Sequence, residues 1–325
     1  MAFFRCLFLL LFPVVSFSQL KWQNVDSLYG PLPKSVHVYF TDQSLDTGKF
    51  RAFYLIADLK DKKLEFTTDT THKRRFTPTQ FWEKNNQSLV VVNGTFFSFE
   101  TNQNLNLVVR RGKIISHNQQ TIPLRGKDTL KYVHIYPSAI GITKKRTARV
   151  FYTYTDSFKR KPYVMPTARD PVINASSVWT RDSATYYSSI ISHSGTTRIL
   201  QKWKAYTAIG GGPVLLQAGL INITNNEERK FGGKAINDKH PRTAMGYTKD
   251  NKLIILVVEG RNSSASGATL PQLAQILKDL GCVEALNLDG GGSSCLLVNG
   301  KETIKPSDKG GQRAVPAVFM IMSDE

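Results

Sequence analysis

The chain is cut into strand-length apolar runs, and nearly every run stops at a glycine or a polar cluster. SVHVYFT (35–41), FRAFYLIADL (50–59), SLVVVNGTFF (88–97) and LNLVVRRGKIIS (105–116) come first. KYVHIYPSAIGIT (131–143), ARVFYTYT (148–155) and AYTAIGGGPVLLQAGLI (205–221) follow. TAMGYTKDNKLIILVVEGR (243–261) reads as a hairpin closed at KDNK. Runs rich in β-branched and aromatic residues, bounded by turn formers, predict strands. Residues 156–203 are polar, and YYSSIISHS (186–194) is the strand expected inside them; 222–241 reads as a polar loop. One helix is clear at 269–281: Thr269 caps it, Gln272 completes a capping box, and Leu273, Ile276, Leu277 and Leu280 share a face. A shorter helix is expected over 77–86.

This pattern predicts a single domain of the α/β class, of α+β type, with a mixed, strand-rich sheet core and few helices. At 41% hydrophobic content, 325 residues suffice for one large core. No internal repeat or low-complexity linker divides it. The expected parts are a signal peptide (1–18), N-terminal strands packing on the core (19–87) and a main domain (88–325). The start has one cation, Arg5, then an apolar run ending in Ser16-Phe17-Ser18, a small-x-small cleavage site. That run is too short to span a bilayer, and no later segment is long and apolar enough. A secreted or periplasmic protein beginning at Gln19 is the expectation, with Cys282 and Cys295 left as a pair that an oxidising compartment permits to bond.

Five motifs carry candidate chemistry. In ALNLDGGGSS (285–294) Asp289 precedes Gly290, Gly291 and Gly292, then Ser293; such a turn can gather N–H groups round an anion, or be a plain hairpin turn. VVEGRNSSASGATLPQL (257–273) delivers Glu259 and Arg261 ahead of the capped helix; they can serve a phosphate or simply pair on the surface. KHPRTAMGY (239–247) supplies His240 and Arg242, AIGGGP (208–213) another glycine break, and VVVNGTFF (90–97) Asn93 at a strand end. Each has a purely structural alternative; together they describe a ligand cleft at strand ends.

In this order, NGTFF, AIGGGP, HPRTAMGY, VEGR, the helix and ALNLDGGGSS resemble the phosphodiester glycosidase family over roughly residues 88–322. The resemblance marks Asn93, Gly94, Gly211, Gly212, His240, Arg242, Thr243, Glu259, Arg261, Asp289, Gly290, Gly291 and Ser293. Many members carry Asp where Glu259 stands. It implies hydrolysis of a sugar-1-phosphodiester of the N-acetylglucosamine-1-phosphodiester type. Asp289 and Glu259 would be the acids, one acting as base or nucleophile and the other orienting, with His240 in support. Arg242 and Arg261 would bind phosphate, Asn93 and Ser293 would hold hydroxyls, and Thr243 and the glycines would line the pocket.

The implied partner is a phosphorylated carbohydrate, which suits a formal charge of +18. A non-catalytic module retaining acidic glycans is the alternative from another class. Nucleic acid is not expected, since the charge is spread through many loops and no recognised module is visible. No cofactor or metal is expected: the cysteines lack zinc-finger partners, and no HxH or HExxH spacing occurs.

Overall fold

The computed structural model describes residues 19–46, 48–190 and 200–323. The expected signal segment, 1–18, lies outside them. The fold is strand-rich with few helices, and every strand pairing among the described residues is antiparallel.

An eight-stranded sheet is built round the expected hairpin, Arg242–Thr248 and Lys252–Val258. Ala52–Asp58 and Val36–Thr41 continue it on one side, Cys282–Asn287 and Val214–Gln217 on the other. A five-stranded sheet centres on Val90–Asn93, between Leu296–Val298 and Ala317–Ser323. A seven-stranded sheet includes Ser138–Thr143, Ala148–Tyr154 and Ala205–Gly210. The N-terminal strands belong to these sheets: Ala52–Asp58 pairs along Lys252–Val258, and Leu64–Thr70 along Ala317–Ser323.

Both expected helices form. Leu270–Asp279 starts at Thr269, whose side chain accepts from Gln272 N while Gln272 reaches back to the Thr269 N–H. Its Leu270, Leu273, Ile276 and Leu277 are buried against the eight-stranded sheet, each contributing about 1.5–3 kcal/mol of burial. Pro78–Lys84 repeats the arrangement with Thr77 and Gln80.

Three local expectations are corrected. Residues 186–190, expected as the start of a strand, close the helix Arg181–Ile190; the rest of that stretch, 191–194, lies outside the described residues. Thr180 provides the cap, accepting from Ser183 N at 3.1 Å, and Ala184 is buried on the inner face. The run 131–143 breaks at Pro137 into two strands of different sheets, Tyr132–His134 and Ser138–Thr143. The polar loop 222–241 contains the short helix Asn225–Glu228, whose last residue is 0% exposed.

Antiparallel register brings the ends that matter together. Arg242 pairs with Val258, Ala244 with Asn287, Val214 with Leu286 and Ala52 with Val258, all at one end of the eight-stranded sheet. Asn93 ends its strand in the five-stranded sheet, and Gly210 ends its strand in the seven-stranded one. The three sheets meet there.

Candidate active site

Asp289 stands where these ends converge. The backbone after Asn287 keeps one bond to its own sheet, Leu288 N to Thr243 O at 2.8 Å, and then crosses toward the five-stranded sheet, where Asp289 N donates to Gly94 O at 2.9 Å. Asn93 Nδ2 donates to Asp289 O at 2.7 Å. Gly212 N donates to Asn287 O at 2.7 Å, bringing in the third sheet.

The glycine triplet is dictated by what crowds it. A Cβ on Gly290 would lie 2.9 Å from Pro241 O, and one on Gly291 3.1 Å from Arg261 Nη1. A Cβ on Gly292 would overlap the Arg313 guanidinium and the Asp308 carboxylate. Gly291 also has φ +62°, the left-handed region that glycine enters without strain. The triplet thus admits two guanidinium groups beside Asp289.

Those cations define the electrostatics. Arg242 is buried; its Nε donates to Ala268 O at 3.0 Å and Nη2 to Asp238 O at 2.8 Å, and it lies over the Phe231 ring. Burial, then the Arg261 charge, bring its pKa down to about 10. Arg261 is exposed and holds the left-handed φ of +61°, a conformation that a non-glycine residue keeps only where its surroundings hold it. Its Nη2 donates to His240 Nδ1 at 3.2 Å. His240 is therefore a neutral imidazole in this arrangement; burial lowers its pKa first, and the charges of Arg242 and Arg261 lower it further. Asp289, partly buried, has its pKa pushed up to about 6 by desolvation. The Ser293 hydroxyl, the Gly290 N–H, Arg313 and Lys230 work against that rise. Ser293 Oγ is itself buried and makes no well-formed hydrogen bond among the described residues, so it lies beside the carboxylate with capacity to spare.

Asn93 is 0% exposed, and its Oδ1 accepts from Thr243 Oγ1 at 2.8 Å and from Cys295 N at 3.1 Å. It and Thr243 brace the floor of the site. Gly211 O accepts from Asn106 Nδ2, and a Cβ on Gly211 would strike Asn287 O. Gly212 leaves room for Glu228 and Lys230.

Glu259 stands at the same sheet end but turns elsewhere. Its Oε1 accepts from Asn262 Nδ2 at 3.0 Å and Ser264 Oγ at 3.3 Å, its Oε2 from Lys305 N at 3.1 Å, and Arg51 Nε lies 3.7 Å away. No hydrogen bond or salt bridge joins it to Asp289, Arg242 or Arg261 among the described residues.

Three charged residues were missed by sequence reasoning. Arg313 pairs with Asp308 at 2.7 Å beside Gly292. Glu228 is buried, and burial pushes its pKa up against Lys230 and four hydrogen-bond donors. Lys230 lies over the Phe96 ring at 5.0 Å. The last two sit in a run, NNEERK, that reads as solvated loop.

Open hollows of about 700 and 380 Å3 lie elsewhere, beside Pro31 and Asn299 and beside Arg146 and Tyr206, so charge and convergence mark this site more than volume. Cys282 and Cys295 are buried free thiols in separate core clusters.

The sequence model of the family described as phosphodiester glycosidase matches residues 86–322. The chain is 44% identical over 80 residues to a SPbeta prophage-derived uncharacterized protein of Bacillus subtilis (strain 168), covering 25% of this chain and 12% of that one. It is 31% identical over 98 residues to the N-acetylglucosamine-1-phosphodiester alpha-N-acetylglucosaminidase of Mus musculus, covering 30% of this chain and 19% of that one. The chain thus spans less than a fifth of these curated relatives' length. Among solved structures, the catalytic domain of the zebrafish N-acetylglucosamine-1-phosphodiester alpha-N-acetylglucosaminidase, auto-inhibited by its pro-peptide, superposes with a TM-score of 0.58 at 21% identity, over 94% of this chain and 89% of that one. A hypothetical protein from Synechocystis gives 0.60 at 14% identity, over 94% and 64%. At these identities the structures share the fold.

Proposed function

The chain belongs to the phosphodiester glycosidase family, and on that premise we propose that it hydrolyses a sugar-1-phosphodiester, of the N-acetylglucosamine-1-phosphodiester type. The observation that carries the proposal is Asp289: a carboxylate held at the meeting of three sheets, facing a set of cations.

Water adds to the anomeric carbon, the bond from that carbon to the phosphate oxygen breaks, and its electron pair leaves with the phosphate monoester. Asp289 takes the proton of the attacking water and stabilises the positive charge developing on the ring. The leaving phosphate is already a weak base, so no strong acid need protonate it. Arg242 and Arg261 stabilise the negative charge it carries away, and neutral His240 holds Arg261 in place. Glu259 takes the orienting role, fixing the loop that presents Arg261.

Hydrolysis in oxygen-18 water tests this. The label is expected in the sugar, because the carbon–oxygen bond breaks; label in the phosphate would make the protein a phosphodiesterase, and binding without turnover would make it a glycan-retaining module. We propose further that residues 1–18 direct the protein to a secreted or periplasmic location, so that the mature protein isolated from its host begins at Gln19.

A further inference from the structure

Among the described residues, Lys230 is a cation of this site whose ammonium has no hydrogen-bond acceptor. It is partly buried, with its Nζ 5.0 Å from the centre of the Phe96 ring. It makes no salt bridge among the described residues. Both neighbouring acids are engaged with other donors. Glu228 Oε2 accepts from Ser138 N at 2.9 Å and Ser138 Oγ at 2.7 Å, and its Oε1 from Val214 N and Thr224 Oγ1, both at 2.8 Å. Asp289 Oδ1 accepts from Gly290 N at 3.0 Å. An ammonium has three donors, and on a partly buried lysine with no acceptor among the described residues they are open to water or to a ligand.

The position is built rather than incidental. A Cβ on Gly212 would lie 2.8 Å from Lys230 Cε and closer still to Glu228 Oε2, so the glycine leaves room for the lysine stem beside that carboxylate. Phe96, whose ring lies under the ammonium, stands edge to face with Phe231 at 6.1 Å. Desolvation brings the lysine's pKa down to about 8, while Glu228 and Asp289 hold it up, so it is largely charged at neutral pH. Arg242, by contrast, already gives Nε and Nη2 to backbone carbonyls.

We propose that Lys230 is a further phosphate-binding residue of the site, beside Arg242 and Arg261: its ammonium donates to a non-bridging oxygen of the scissile phosphodiester, and it makes the site select substrates anionic at the leaving group. The proposal rests on the hydrolase reading above and adds a residue and a specificity to it.

The test is Lys230→Met, which keeps the stem and its packing, with Lys234→Met as an exposed-lysine control and thermal unfolding to verify folding. Two substrates are compared: an activated phosphodiester of N-acetylglucosamine, and an aryl glycoside of the same sugar whose leaving group is neutral when bound. The expected result is a loss of about 100-fold in kcat/KM on the phosphodiester and only a few-fold on the aryl glycoside, as for removal of one charge-stabilising donor. Lys230→Arg is expected to recover part of the loss. Equal losses on both substrates, or no loss on the phosphodiester, overturn the proposal while leaving the hydrolase reading intact. If neither substrate turns over, the hydrolase reading fails, and calorimetry with N-acetylglucosamine-1-phosphate decides for Lys230 separately. A dissociation constant at least about tenfold weaker in Lys230→Met then supports its role. An unchanged constant, or no binding by the wild type, overturns it.

Discussion

Asn93 and Asp289, 196 positions apart, are joined by one hydrogen bond of 2.7 Å from the Asn93 amide to the Asp289 carbonyl. The same amide accepts from Thr243 and Cys295, so one fully buried side chain ties together the ends of three segments. The catalytic geometry we propose depends on this brace.

Replacing Asn93 by Ala orphans two groups, the Asp289 carbonyl and the Cys295 N–H, and leaves the Thr243 hydroxyl only Ser294 Oγ at 3.2 Å. Each orphaned group costs about 1–3 kcal/mol, so a total on the order of 2 kcal/mol or more is expected. Urea unfolding is the measurement. A variant as stable as the wild type would show that the brace is not needed.

Asp289 is raised to about 6, which fixes two signs. As a base it must be ionised, so kcat/KM is expected to rise with pH through about 6 and then level. A profile flat across that range counts against Asp289 as the base. For stability, a raised folded-state pKa stabilises at acid pH, and that contribution is lost as pH rises through about 6. Asp289→Asn is therefore expected to abolish turnover yet raise the melting temperature at about pH 7.5, on the order of 2–4 °C per kcal/mol recovered, with little gain near pH 4. A fully active Asp289→Asn variant would remove the mechanism altogether.

Glu259 separates positioning from chemistry. Its contacts bind the loop bearing Asn262 and Ser264, together with the Lys305 N–H. Glu259→Gln keeps one acceptor oxygen for Asn262 and Ser264 while its NH2 faces the Lys305 N–H, and is expected to retain activity within about tenfold at some cost in stability, whereas Glu259→Ala loses stability and activity together. A Glu259→Gln variant as inactive as Asp289→Asn would return this acid to the reacting centre.

Gly212 and Gly219 are a matched pair. Both have positive φ, +115° and +77°, but a Cβ on Gly219 meets nothing within 4 Å, while one on Gly212 overlaps the Glu228 carboxylate. Gly219→Ala is expected to cost about 1 kcal/mol from backbone strain alone, and Gly212→Ala at least about 2 kcal/mol more from overpacking. Equal costs by denaturant unfolding would mean that the Glu228 pocket is soft.

The elements read directly from sequence are those whose signals are local. Thr269 and Gln272 announce the helix, and KDNK the hairpin, because a capping box and a tight turn are closed by residues within a few positions. The helix at Arg181–Ile190 was hidden because aromatic and β-branched composition over 186–194 outweighed a single cap at Thr180. The run 131–143 reads as one strand, and nothing local said that the two sides of Pro137 would enter different sheets.

By itself the sequence determined the strand-rich class, the capped helices and the order of motifs that ends in NLDGGGSS, since each depends on short-range periodicity or on residue identity. Tertiary structure alone decided which charges face the site. It turned Glu259 toward the loop at 262–265 and Asn93 toward Asp289, and it drew Glu228 and Lys230 in from a polar loop. The physical reason is that a charge's role is set by which donors reach it and how much water is left around it. Both follow from the meeting of three sheets whose strands lie far apart in the chain.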